Sequence, residues 1–142
     1  EIIVDEVNGR IPVIAHIGSI GTKITIELGK HAEKIGVDAL SALPPFYYGF
    51  SNNEIHNYYS DISHSSNLPI IVYNISHANL MDLDMLKRLA SIPNIKGVKY
   101  TAATHFNFSK IKKEIGDSFK IYSGMDEMAL SGILSGADGM IG

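Results

Sequence analysis

The residue of this chain with the clearest capacity for covalent chemistry is Lys99. It closes the short run Ile95-Lys96-Gly97-Val98-Lys99, where an ordinary strand would carry another aliphatic. Strand alternation places Ile95, Gly97 and Lys99 on one face and Lys96, Val98 and Tyr100 on the other, with Gly97 leaving space beside the amine. An amine shielded from water loses part of its preference for the charged form, and a neutral amine attacks a carbonyl to give an imine. The same segment also reads as a strand-end lysine that snorkels to solvent. Tyr73 ends a second run, Ile70-Ile71-Val72-Tyr73-Asn74. A phenol presented to the same space would relay protons through imine formation and carbon–carbon cleavage, although a tyrosine also simply fills a strand end. Asp126 and Glu127 follow Ser123-Gly124-Met125 at the start of a helix. There they complement the helix dipole, accept hydrogen bonds from sugar hydroxyls, or do both. The apolar loop Pro44-Pro45-Phe46-Tyr47-Tyr48 walls a pocket or meets a partner subunit.

Other chemistries find little support. The six histidines, at positions 16, 31, 56, 64, 77 and 105, show no HExxH or comparable ligand spacing, so no metal site is expected. With no cysteine in the chain, thiol nucleophiles, zinc-thiolate sites and disulfides are excluded, which fits a reducing compartment. Gly18-Ser19-Ile20-Gly21-Thr22 lacks the spacing of a phosphate loop and reads as an ordinary turn. The net charge of −3 comes from interspersed charges without a basic stripe, so nucleic acid is not an expected partner. No apolar run reaches the ~18 residues that span a bilayer, and the chain opens on acidic residues instead of a signal sequence. A cytoplasmic protein without a membrane partner is the resulting expectation.

The elements that must position these residues alternate. Strands are expected at Ile11–Ile17, Asp38–Leu43, Leu68–Tyr73, Ile95–Lys99, Phe119–Ser123 and Gly139–Ile141. Helices are expected at Thr22–Ile35, Asn52–Ile62, Asp82–Ala90, Phe106–Ile115 and Asp126–Leu134, with an amphipathic piece from Glu1 to Val7. At 142 residues and 45% hydrophobic content the chain reads as a single domain, 1–142. Strict alternation implies a parallel sheet with right-handed crossovers, which both closed barrels and open doubly wound sheets satisfy. Polar and reactive strand ends favour the barrel, whose βα loops build active sites at the C-terminal face. A (βα)8 barrel takes about 250 residues and eight strands. Six strands imply an open sheet or part of a barrel, and both ends read as cut.

Several segments together resemble one enzyme family. They are Gly97-Val98-Lys99-Tyr100-Thr101-Ala102, Tyr73-Asn74, Pro45-Phe46-Tyr47-Tyr48 and Ser123-Gly124-Met125-Asp126-Glu127-Met128. Their order and spacing resemble the dihydrodipicolinate synthase superfamily of class I aldolases, in its sialic acid (N-acetylneuraminate) lyase branch. The resemblance implies a (βα)8 TIM barrel, commonly a homotetramer, of which this chain covers about strands 3 to 8 and lacks the first two strands and the C-terminal part. It implies that Lys99 is the Schiff-base lysine and Tyr73 the catalytic tyrosine, with no cofactor. Thr101, Gly124, Asp126 and Glu127 fall on positions that contact the substrate's hydroxylated chain, and Tyr47 on an aromatic that sits near the catalytic tyrosine at a subunit contact. The implied substrate is a small keto acid or sugar acid, cleaved to pyruvate and N-acetylmannosamine. A sibling pyruvate-dependent aldolase, such as dihydrodipicolinate synthase or a 2-keto-3-deoxy acid aldolase, is the alternative, and an inactive barrel fragment or binding module is a third reading. The chain departs from the family pattern in three places. The loop of strand two that holds the pyruvyl carboxylate and the serine beyond the eighth-strand Ile-Gly have no counterpart, and Ile75-Ser76-His77-Ala78-Asn79-Leu80 is shorter than the usual segment.

Overall fold

A computed structural model of the chain describes residues 1–78 and 80–142. Asn79, within the loop that departs from the family pattern, lies outside the described residues. The elements run α1 (Ile2–Val7), β1 (Ile14–His16), α2 (Thr22–Lys34), β2 (Ala39–Ala42), α3 (Asn52–Ser65), β3 (Ile70–Ile75), α4 (Leu83–Ala90), β4 (Ile95–Thr101), α5 (Phe106–Ile115), β5 (Lys120–Ser123), α6 (Ala129–Leu134) and β6 (Gly139–Met140). Single 3-10 turns at Ser76–Ala78 and Asp126–Met128 follow β3 and β5.

All described strand pairs are parallel, and the sheet order is β1-β2-β3-β4-β5-β6. A doubly wound sheet reverses its order at a switch point and puts helices on both faces. This sheet does neither. Leu40, Ala42, Ile70, Val72, Val98 and Ile121 on one strand face share a core with Ile55, Tyr59, Met85, Leu89, Phe108 and Ile111 of the helices. The opposite face carries Tyr73 and Lys99. This is the winding of a (βα)8 barrel, carried through six strands.

Strand limits differ from the expected ones for identifiable reasons. Pro12 has no N–H, and the Val13 N–H donates to the Asp38 carboxylate at 2.7 Å, so the first ladder starts at Ile14 instead of Ile11. Pro69 likewise delays β3 to Ile70, and its carbonyl accepts from Leu40 N–H at 2.9 Å. At their other ends β3 and β4 outrun expectation, because Asn74 and Ile75 pair with Tyr100 and Thr101. The expected helix Asp126–Leu134 is broken in two, since Met128 leaves helical angles at φ −114° and ψ 22°. Asp82 is the N-cap of α4 instead of its first residue, its carboxylate accepting from Met85 N–H at 2.9 Å. Ser51 and Glu54 form a reciprocal capping box that starts α3.

The N-terminal edge of the sheet is fastened by a device used twice. Gly36-Val37-Asp38 and Gly136-Ala137-Asp138 each begin with a glycine at positive φ, 82° and 106°, which ends the preceding helix. Each then offers an aspartate to a backbone N–H next door: Asp38 takes Val13, and Asp138 takes Ile121 at 2.8 Å. Asp138 also accepts Lys112 Nζ at 2.6 Å and Lys120 Nζ at 3.4 Å. Burial pushes its carboxyl up, but the bonds from Lys112, the Ile121 N–H and Lys120 outweigh this and hold it below the ordinary 3.8. A carboxyl lowered by folding stabilises the fold above its unfolded pKa, and that contribution is lost as pH falls through the folded value. Asp138→Ala is therefore expected to lower the unfolding free energy by about 1–3 kcal/mol at neutral pH. In urea titrations repeated at progressively lower pH, the gap between variant and wild type should narrow as the pH falls below 3.8.

Candidate active site

The two residues at the C-terminal ends of β3 and β4 are brought together by register. Tyr73 pairs directly with Lys99, so both side chains leave the sheet on the same inner face. Lys99 Nζ stands 4.4 Å from the centroid of the Tyr73 ring, within the range of a cation–π contact. Its other partner is the Gly142 carbonyl, to which Nζ donates at 3.3 Å. Lys99 is only 9% exposed. Ile14, His16, Ser41 and Ile141 complete a cavity of about 240 Å³ around the pair. A small substrate carbonyl entering this cavity would meet the amine and the phenol together.

Two expectations about this strand are corrected. Ile95 does not share a face with Gly97 and Lys99. The β3–β4 register shifts between Ile70 and Ile71, so Ile70 pairs with Ile95 and Ile71 with Gly97. The extra residue, Lys96, absorbs the step, and Ile95 joins Val98 and Tyr100 in the helix-side core. Nor does Gly97 make room for the amine. A Cβ there would lie 2.5 Å from the Lys120 carbonyl oxygen, so Gly97 serves the close approach of β5. The glycine beside the lysine is Gly124: a Cβ on it would lie 3.1 Å from Lys99 Cε and would collide with Thr101 Oγ1.

The remaining candidate residues divide. Thr101 follows Lys99 on the same face, and its buried Oγ1 has no partner among the described residues. Asp126 opens the 3-10 turn after Gly124, and its carboxylate lies against Gly142, the residue whose carbonyl receives Lys99. Asp126 and Glu127 are both exposed, and neither lines the cavity. Among the described residues neither carboxylate has a hydrogen-bond or ion-pair partner. Tyr47 is 85% exposed, with φ 88° in the left-handed region that bulky residues avoid, and packs edge-on against Tyr48 at 4.8 Å. The structure does not bring it to Tyr73 within one chain. Among the described residues no three His, Cys, Asp or Glu side chains gather to hold a metal ion.

Three residues here were not singled out by sequence. His16 sits at the end of β1 with its ring centroid 6.0 Å from that of Tyr73, the planes at 86°. Partial burial, and then the positive charge of Lys99, hold its imidazole below the ordinary range. Ser41 lies in register with His16 on β2. Asn74 is fully buried and clasps the backbone of Met81, donating to its carbonyl at 3.0 Å and accepting from its N–H at 2.8 Å. That clasp pins the loop after β3 directly beyond Tyr73. The signal for His16 was present: it is a polar residue near the C-terminal end of a strand, as are Tyr73 and Lys99.

Known proteins share this fold. The model of the dihydrodipicolinate synthetase family matches residues 1–142. An N-acetylneuraminate lyase of Rhizobium meliloti is 42% identical over 136 residues, which are 95% of this chain and 45% of that protein. Among solved structures, CdNal from Clostridium difficile in complex with mannosamine superposes with a TM-score of 0.93 at 38% identity, covering 98% of this chain and 48% of that one. A 4-hydroxy-tetrahydrodipicolinate synthase from Methylacidiphilum fumariolicum superposes with the same TM-score, 0.93, at 34% identity, covering 98% and 47%. The chain thus spans about half the length of the relatives it matches. With its whole length matched by the family model and its barrel winding shared with these enzymes, the chain belongs to the dihydrodipicolinate synthetase family.

Proposed function

We propose that the protein carrying this chain is a Schiff-base aldolase that cleaves N-acetylneuraminate to pyruvate and N-acetylmannosamine, without metal or organic cofactor. The observation that carries the reading is the shielded Lys99 amine held 4.4 Å above the Tyr73 ring inside the barrel face. In this mechanism the neutral amine attacks the C2 ketone of the open-chain sugar acid, and the carbinolamine loses water to give a protonated imine. The iminium accepts the electron pair of the C3–C4 bond as the C4 hydroxyl gives up its proton. The aldehyde departs and an enamine remains. Protonation at C3 and hydrolysis of the imine then release pyruvate and return the amine. Tyr73 carries protons between the substrate and its carboxylate. Thr101, Asp126 and Glu127 meet the polyol, because a site built to bond hydroxyls disfavours analogues that leave its polar groups unpaired.

The choice of sugar acid is supported by the 42% identity to an N-acetylneuraminate lyase and by the likeness to CdNal. A sibling reaction, condensation of pyruvate with another aldehyde, draws equal structural support from the superposition on a 4-hydroxy-tetrahydrodipicolinate synthase. The reading extends to a cytoplasmic homo-oligomer, a tetramer by family resemblance, in which Tyr47 reaches the Tyr73 region of a neighbouring subunit. Its outward position is what supports this.

Pyruvate release from N-acetylneuraminate by the full-length protein is expected to exceed its turnover in a dihydrodipicolinate synthase assay. The reverse order would assign the sibling reaction. Tyr73→Phe should lower kcat by roughly 100- to 10,000-fold with the fold intact by circular dichroism, as expected for removal of a proton relay. Gly124→Ala, which forces a methyl against Thr101 and Lys99, should abolish turnover more completely than Glu127→Gln. Equal losses would remove the case for a special role of Gly124.

A further inference from the structure

β1 and β3 are not neighbours, yet His16 on one touches Tyr73 on the other. β2 lies between them, and its residue in register with His16 is Ser41. A serine is small enough for an imidazole to reach across it. The contact is edge-to-face, with centroids 6.0 Å apart and planes at 86°, a favoured geometry for two aromatic rings. The position of His16 is itself bounded: a Cβ on Gly18 would lie 2.8 Å from His16 Nε2 and 2.9 Å from Leu43 N, so glycine is needed at that turn. Tyr73 is therefore flanked by Lys99 from β4 and by His16 from β1.

We infer that His16 is a positioning residue, whose ring reaches over Ser41 to fix the orientation of the Tyr73 phenol relative to Lys99. The cavity's titratable groups facing His16 are Tyr73 from β3 and Lys99 from β4, while β2 contributes only Ser41. Partial burial, and then the neighbouring Lys99, hold the His16 imidazole below its ordinary range. An edge-to-face contact of this kind needs an aromatic ring and no proton. That separates positioning from acid–base work: phenylalanine should replace histidine here, whereas it could not replace a proton donor. The role in turnover rests on the aldolase reading, but the contact itself does not.

The test uses the full-length protein labelled with [13C]tyrosine, the Tyr73 ring signals being assigned by their loss in Tyr73→Phe. His16→Ala should move those signals and His16→Phe should return them close to their original positions. Ser41→Leu, which keeps His16 but fills the gap it crosses, should move them as His16→Ala does. In the N-acetylneuraminate assay His16→Ala should lower kcat by roughly 10- to 100-fold, the scale of a misplaced catalytic group, with KM little changed. His16→Phe should recover most of that loss. Unmoved Tyr73 signals in His16→Ala, or a His16→Phe variant as impaired in signal and rate as His16→Ala, would overturn the inference. If the signals move and recover but the wild type releases no pyruvate, the contact stands and the aldolase reading fails.

Discussion

The pairing of Tyr73 with Lys99 across β3 and β4 is the constraint on which the rest of the site depends. Side chains alternate with a strict period of two, so a slip of one residue between these strands would turn the amine or the phenol into the helix-side core. The register is secured from several directions. Val72 and Val98 are completely buried on the helix side, Asn74 fixes the following loop to Met81, and the β3–β4 ladder runs on through Ile75 and Thr101. The shift at Lys96 belongs to the same arrangement, because it resets the alternation so that Ile95 and Val98 both enter the core while Gly97 and Lys99 face inward.

The two ends of the sheet divide the labour between them. At the N-terminal edge, Asp38 and Asp138 take backbone donors of adjacent strands, and Asp138 also gathers Lys112 and Lys120, so charge there is satisfied locally. At the C-terminal edge, polar groups are left available: Thr101 Oγ1 lacks a partner among the described residues, and Asp126 and Glu127 carry no hydrogen bond or ion pair among them. Of these only Thr101 Oγ1 is buried, and a buried polar atom left unpaired costs free energy that a ligand's hydrogen bond would recover. Charge is satisfied at one edge and polar side chains stand unpaired at the other, where barrel enzymes carry their active-site loops.

What the sequence disclosed follows from how local each signal is. Alternation within a strand is local, so the inward direction of Tyr73 and Lys99 and the serial βα winding were legible. The role of Gly97 was misread because the atom it accommodates belongs to Lys120 on another strand, and Gly124 was not recognised as the residue that makes room for Lys99 because that contact spans two strands. Ile95 was placed on the wrong face because a register shift leaves no mark in the residue types alone. His16 went unassigned because its contact with Tyr73 depends on two registers and on the small size of Ser41. The helix expected from Asp126 breaks at Met128 with no glycine or proline to announce it.

The central claim is that the Lys99 amine forms an imine with a keto acid. The most direct measurement is borohydride reduction of the full-length protein in the presence of pyruvate, followed by peptide mass mapping. The account predicts one reduced pyruvyl adduct per chain, on the peptide bearing Lys99, and none when pyruvate is omitted or when Lys99 is replaced by methionine. An adduct on another lysine, or no adduct with a folded protein, would contradict it.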